Sequence, residues 1–335
     1  MGSIASDKVV PKSPSNGQND NTYLIIEEPS RTIRKIRIIV IGCGVSAINF
    51  AHEVDISPLD LELVCYDKNP SIGGTCYSSA SEILHYFKTV AKDYGLMKYM
   101  RLNTKVVDAR WNEEDQQWHV RIQRTDEPDT LIEDKAHILI NANGVLNKWK
   151  WPAIPGRETF EGAMLHSANW DDSIQLESRR VAVIGSGSSG VQIRRHLLTD
   201  RRSNNQATER DMRTRLAKKP EIADWIVPTN FAVGCRRPTP DAGYLEALCE
   251  DNVTVVSQSI QEFTPKGIRT VDGVEHEFDV IVCATGFDVS WKPAYPTVGR
   301  DSHSLSEDWA EIPSTYLSIT VPHFPNYMST FLIAF

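Results

Sequence analysis

The sequence predicts an α/β protein with two parallel-sheet units, the second inserted in the first. Three observations predict it: a strand–glycine turn–helix pattern near the N-terminus, a second copy of that pattern mid-chain, and a late apolar strand that follows the second copy. The first pattern starts with the apolar run Lys35 to Ile41, turns at Gly42 and Gly44, and goes on with helical character through Ala47, Ile48, Phe50 and Ala51. Leu61 to Tyr66 reads as the next strand, completing a βαβ unit. Apolar positions at Ile83, Leu84, Phe87, Val90 and Ala91 have a helical period that stops at Gly95, a C-cap. Lys105 to Arg110 and Gln117 to Ile122 alternate like paired strands, and Ala136 to Ile140 is a further buried strand.

The second unit opens with strand Val181 to Ile184, a glycine cluster and a helix over Val191 to Leu198. Phe278 to Cys283 is the late strand, ending at Ala284-Thr285-Gly286, and it is expected to return to the first sheet and finish it. Residues 1–33 are rich in Ser, Asn, Pro, Asp and Lys and read as a flexible tail. The expected division is 34–178 plus 278–335 for the first domain and 179–277 for the second.

Each glycine cluster has the spacing that lets a dinucleotide approach a helix N-terminus. Gly42-Cys43-Gly44-Val45-Ser46-Ala47 fits G-x-G-x-x-G/A, where the first glycine turns the chain and the second admits a pyrophosphate. Asp67, at the end of the next strand, is placed to accept a ribose hydroxyl. Gly185-Ser186-Gly187-Ser188-Ser189-Gly190 is the all-glycine version. Both units are therefore Rossmann-like, and two of them in one chain suit an enzyme that holds a flavin and a nicotinamide together.

Composition excludes other classes. With 335 residues the chain is long enough for about two domains. Forty-four acidic against 36 basic side chains give a net charge of −8, so the basic footprint of a nucleic-acid binder is missing. No apolar run approaches the ~18 residues a membrane span needs, and the polar start carries no secretory signal. The expectation is a soluble, cytoplasmic protein. Met1 to Ser6 matches the myristoylation pattern, with no polybasic second signal after it. The six cysteines show no C-x-x-C and read as reduced, mostly core thiols, and the dispersed histidines predict no metal site.

Between the two glycine clusters stands Phe160-Glu161-Gly162-Ala163-Met164-Leu165-His166-Ser167-Ala168-Asn169-Trp170-Asp171. It fits F-x-G-x-x-x-H-x-x-x-W-[P/D], and on this stretch the chain resembles the Baeyer-Villiger monooxygenases, a branch of the class B flavoprotein monooxygenases. Gly144-Val145-Leu146, Trp151-Pro152, Ile154-Pro155-Gly156, Cys235-Arg236-Arg237-Pro238, Gly243 to Leu248 and Ala284 to Asp288 are similar to the fungal members. The resemblance runs from about Arg34 to Tyr327 and implies FAD in the first fold, NADPH in the second, and insertion of one oxygen of O2 into a ketone or onto a heteroatom, in fungal secondary metabolism. It also implies flavin contacts from Gly42, Gly44, Ser46, Ala47, Asp67, Lys68, Gly74, Thr75, Cys76 and Val107. It implies nicotinamide-cofactor contacts from Gly185, Ser186, Gly187, Ser188, Ser189 and Gly190, and a further cofactor contact at Gly286. Arg237 resembles the essential arginine, whose charge would stabilise an oxyanion in a dry site, and Phe160, Gly162, His166, Trp170 and Asp171 would join the domains.

Three departures from the pattern keep a second reading open. Gly73-Gly74-Thr75-Cys76-Tyr77 has Cys76 at a tryptophan position and passes directly to Ser78, without the segment that lies beside the flavin ring. After Leu198 the chain turns polar where a βαβ unit needs its second strand. Pro325-Asn326-Tyr327 starts a family segment that is expected to continue well beyond Phe335. The alternative is a catalytically inactive relative, or a redox-neutral isomerase or cyclase with Arg237 as electrostatic stabiliser.

Overall fold

The computed structural model describes residues 34–73, 80–192, 205–228 and 243–330. Residues 1–33, the helix expected beyond Gln192 and the apolar stretch Phe331 to Phe335 lie outside the described residues. In chain order the first half supplies β1 (Ile36–Ile41), α1 (Val45–Asp55), β2 (Leu61–Tyr66), α2 (Ala80–Asp93), β3 (Met100–Arg101), β4 (Thr104–Asn112), β5 (Gln117–Arg124), β6 (Leu131–Ala136) and β7 (Ile138–Asn141). The second half supplies β8 (Ala163–His166), β9 (Val181–Ile184), α3 (Ser188–Gln192), α4 (Asn205–Arg215), β10 (Ile260–Thr264), β11 (Gly267–Thr270), β12 (Glu275–Glu277), β13 (Val280–Cys283), β14 (Thr297–Val298) and β15 (Tyr327–Ser329).

The first sheet is wholly parallel, in the order β15-β7-β1-β2-β3. The centres of β1, β2 and β7 are buried apolar runs because both faces are covered, while Arg37 and Glu62 stand toward the strand starts. Ile38, Val40 and Cys65 pack with Ala47, Ile48 and Ala51 of α1, and Ile39, Ile41 and Leu139 pack with Val106, Trp118 and Val120 of the four-stranded sheet β14-β4-β5-β6. Each of these aliphatic side chains contributes about 1.5–3 kcal/mol by leaving water. Arg37 of β1 ties the two layers polar-side as well, forking onto Asp134 of β6 at 2.8–3.2 Å while Tyr66 donates to the same carboxylate at 2.7 Å. Burial would raise the Asp134 pKa, but these donors overcome it and hold the group below the usual carboxylate range.

The second sheet corrects one expectation. Val280–Cys283 does not return to the first sheet; it is the centre strand of β8-β13-β9, parallel to both neighbours. Its four residues are all buried, which demands a neighbour on each side and cover on each face. Phe263 and Ile268 of the β10–β11 hairpin cover one face, with Ile281 and Cys283 beneath them. Ile174 and Leu176 cover the other, over Val280, Val282 and Leu165. The strand that does return to the first sheet is β15, laid beside β7. The expected insertion over 179–277 is thus flanked by its own sheet partners, β8 before it and β13 after it. Among the described residues the stretch after α3 resumes as a helix, α4, and no strand extends the second sheet beyond β9.

Candidate functional site: two equivalent glycine turns and the crossing between them

The two glycine turns are built to one plan. Gly42 has φ +111° and Gly185 has φ +115°, values that side chains rarely adopt. A Cβ on Gly42 would stand 2.3 Å from the Ala142 carbonyl oxygen, and one on Gly185 would stand 2.5 Å from that of Ala284. The Ala142 N–H donates to Ile41 O and the Ala284 N–H donates to Ile184 O, each at 2.8 Å. So in each unit the residue after a buried parallel strand presses on the first glycine. The helix then starts from the second glycine, with Ile48 N–H on Gly44 O and Val191 N–H on Gly187 O, both 3.0 Å. Gly190 closes the second turn, where a Cβ would meet Gly185 O at 2.1 Å.

The first turn has the features a dinucleotide needs. Among the described residues no side chain caps α1 and no acidic residue stands in its first turn, so its first N–H groups are left for an anionic ligand. Ala47 is buried against the sheet while Ser46 is half-buried beside the turn. Asp67 accepts the Cys43 N–H at 2.8 Å on one carboxylate oxygen and the Asn69 N–H at 2.8 Å on the other. It thereby pins the glycine turn to the end of β2, and each oxygen keeps a lone pair for a hydroxyl. Lys68 reaches over to Asn147 O at 3.4 Å. Val107 is the residue skipped where the β4–β5 register shifts between Val106 and Asp108. A bulge of this kind leaves the backbone N–H and C=O of the skipped residue outside the ladder. The Cys43 and Cys65 thiols are buried and pushed upward in pKa by desolvation, Cys65 to about 12, so neither is a nucleophile.

In the second unit Ser186 and Gly187 are exposed, and among the described residues a Cβ on Gly187 would meet nothing within 4 Å. Ser188 begins α3, Ser189 follows it in that helix, and Gly286 lies just past the Ala284 contact with φ +75°.

His166 occupies the crossing between the two units. It is 1% exposed and stacks on Trp149, centroids 4.6 Å apart, with Trp151 edge-on at 5.7 Å. Its Nδ1 accepts the Ala168 N–H at 3.1 Å, which leaves the proton on Nε2, 3.3 Å from Thr285 Oγ1. Thr285 in turn donates to Lys150 O at 3.1 Å, and Asp288 N–H donates to Lys148 O at 2.7 Å. The segments leaving the two sheets, 144–151 and 285–288, are thus zipped together around one neutral imidazole. Desolvation lowers the His166 pKa below its ordinary 6.5. Phe160 packs in the second core, and Gly162 is required because a Cβ there would fall 2.5 Å from the Phe160 ring and 2.6 Å from Asp279 O.

Two members of the expected joining set do not enter this crossing: Trp170 is 42% exposed, and Asp171 accepts from Ser173 in a local turn. Gly74, Thr75, Cys76 and Arg237 lie outside the described residues. Sequence reasoning missed Trp149 and the two alanine carbonyls. The signal was present as an internal repeat, Ala142-Asn143-Gly144 and Ala284-Thr285-Gly286, each directly after a buried strand.

A family model described as FMO-like, flavin-binding monooxygenase-like, matches residues 61–207. The FAD-binding monooxygenase tazF of Aspergillus terreus is 30% identical over 403 aligned positions, covering 89% of this chain and 71% of the relative. The chain belongs to the flavin-binding monooxygenases. The FAD-binding monooxygenase stcW of Emericella nidulans is 32% identical, with 88% of this chain and 66% of that protein covered. This monooxygenase chain therefore spans about two thirds of the length of such relatives, and an alignment longer than its own 335 residues means that they hold segments it lacks. The open crystal structure of cyclohexanone monooxygenase superposes with a TM-score of 0.75 at 23% identity, covering 89% of this chain and 82% of that one. The cyclohexanone monooxygenase of Rhodococcus sp. Phi1 bound to NADP+ gives 0.74 at 24%, with 89% and 80% covered. The monooxygenase fold is shared across this distance. Among the described residues no helix is long and apolar enough to cross a membrane.

Proposed function

We propose that this chain is an FAD- and NADPH-dependent monooxygenase that places one oxygen of O2 into a ketone, or onto a heteroatom, of a small molecule. The observation that supports it most is the duplication itself: two glycine turns of the same geometry, joined through one buried histidine. The first sheet with its four-stranded partner holds FAD. Gly42 and Gly44 give the pyrophosphate backbone access at the α1 N-terminus, Asp67 accepts ribose hydroxyls, and the Val107 backbone lies free for a base edge. The second sheet holds NADPH over Gly185, Gly187 and Gly190. Bound together, the two cofactors supply hydride transfer and activation of O2.

The chain's own residues orient and exclude. The Trp149–His166–Thr285 crossing fixes one sheet against the other, which sets the approach of two ligands held at the two turns. A neutral His166 suits this place, since a charged imidazole there would be buried without a carboxylate. Arg237 is the group assigned to charge stabilisation of the oxyanion.

The short second sheet, with β9 at its edge among the described residues, favours a second reading in which FAD is bound but NADPH is held weakly. One experiment separates the two. The purified chain is loaded with FAD, freed of excess, and given NADPH in air while O2 consumption is followed with and without a cyclic ketone. Ketone-dependent oxygen use supports the monooxygenase. A flavin band that NADPH never bleaches supports the second reading.

A further inference from the structure

A line of aromatic side chains leads from beside the first glycine turn to the protein surface. Its inner end is Tyr295, whose hydroxyl faces the Asn143 side chain. Asn143 adjoins the Gly42 turn, its backbone N being 3.2 Å from where a Gly42 Cβ would stand. Tyr295 shares one buried core cluster with Tyr327 and Trp118. Tyr327 is followed by Trp118, ring centroids 5.8 Å apart, and Trp118 by Trp111, again 5.8 Å apart and edge-on. These are ordinary contact distances for aromatic pairs. Tyr327 and Trp118 are fully buried and Tyr295 nearly so, while Trp111 is only half-buried.

The polar partners along this line give it a direction. Among the described residues the groups facing the Tyr295 and Tyr327 hydroxyls are the Asn143 and Asn141 amides, which are not bases, so neither phenol has an acceptor for its proton. The Trp118 indole N–H donates to a backbone carbonyl, Pro325 O, at 2.8 Å, and a carbonyl does not take a proton. Trp111 differs: its N–H donates to the Glu113 carboxylate at 2.6 Å, within reach for proton transfer. Arg300 forks onto the same carboxylate at 2.8 and 3.1 Å, keeping it ionised and in place. An oxidised aromatic ring is a strong acid and is stabilised by losing its proton, so the one ring with a carboxylate acceptor is the place where oxidation settles.

We propose that Tyr295, Tyr327, Trp118 and Trp111 relay one-electron oxidising equivalents from the flavin site to the surface, where they come to rest on the Trp111–Glu113 pair. The source of the oxidant rests on the flavin reading above: a hydroxyl radical, formed from reduced oxygen escaping the site, takes one electron and leaves as hydroxide. That electron comes from Tyr295 and is replaced in turn from Tyr327, Trp118 and Trp111. Trp111 ends one electron short, its N–H bond breaks, and the proton passes to Glu113, leaving a neutral indolyl radical. A solution thiol then supplies a hydrogen atom that restores the N–H, becoming a thiyl radical, and Glu113 releases its proton to water. The relay would spare the buried ring system and the flavin pocket from oxidative damage.

The test injects the oxidising equivalent without using flavin, so its failure and failure of the FAD reading are distinct. A ruthenium photosensitiser is attached at Leu146→Cys, an exposed position in the turn after Asn143, in a background with Cys76 and Cys235 changed to serine. Flash oxidation of the label is followed by transient absorption. The neutral indolyl radical is expected in the parent. It is expected to fall to the unlabelled control level in Trp111→Phe, a half-buried substitution whose thermal midpoint serves as the folding check. In Glu113→Gln the radical is expected as the protonated cation, a spectral change that a purely structural role does not produce. An unchanged neutral radical in Trp111→Phe overturns the relay. So does oxidation found by mass spectrometry on the exposed Trp170 or Trp225 with Trp111 intact.

Discussion

The two glycine turns differ less in themselves than in what surrounds them. Gly42 and Gly185 have nearly the same φ and press on equivalent alanine carbonyls, so the local chemistry of the two turns is interchangeable. Around the first, five parallel strands are covered by α1 and α2 on one face and by a four-stranded sheet on the other. Around the second, among the described residues, three parallel strands are covered by a hairpin and a loop, and Val183 of β9 is 47% exposed. The lesson is that a fingerprint specifies the turn, while the sheet behind it decides how firmly the turn is held.

This comparison predicts a graded set of effects. The largest is expected for Gly42→Ala, where a positive φ and a carbonyl at 2.3 Å combine; the backbone alone should cost about 1–3 kcal/mol, read as a lower denaturation midpoint together with loss of FAD uptake. Gly185→Ala should destabilise by a similar backbone amount but lower the midpoint of the second unit only, leaving FAD uptake intact; loss of FAD in this variant would break the division of labour between the turns. Asp67→Asn, which removes the charge that pins Cys43 and Asn69, should weaken FAD binding by about 1.5–3 kcal/mol in an isothermal titration. Gly187→Ala, with nothing among the described residues within 4 Å of the new methyl, should leave stability within about 0.5 kcal/mol while raising the NADPH concentration needed for half-saturation.

The crossing adds a pH dependence. His166 has a folded pKa below 6.5, so the unfolded chain binds its proton first as pH falls. Its contribution is complete above about pH 6.5 and is lost below that value. Thermal midpoints measured from pH 7.5 down to 5.5 should therefore decline, and the decline should be shallower in His166→Gln. Equal slopes in both proteins would remove His166 as the titrating group.

Much of this was legible in the sequence because the signals are local. A strand, two glycines and a helix fall within about twenty residues, and the β4–β5 pair and α2 with its Gly95 stop follow from short-range period alone. What escaped was pairing over distance. Val280–Cys283 declares itself a central buried strand, but four apolar residues do not say which sheet they centre. The crossing escaped for the same reason: Trp149, His166 and Thr285 are far apart in sequence and meet only once both sheets are closed. Val107 shows the reverse case, a named residue whose bulge only the register makes visible.

On the proposed function the two turns hold two cofactors that exchange a hydride. The measurement that tests it most directly is an anaerobic titration of the FAD-loaded chain with NADPH, followed at the visible flavin band. The band is expected to bleach as NADPH is added and to return when air is admitted. A band that stays oxidised through the titration would contradict it.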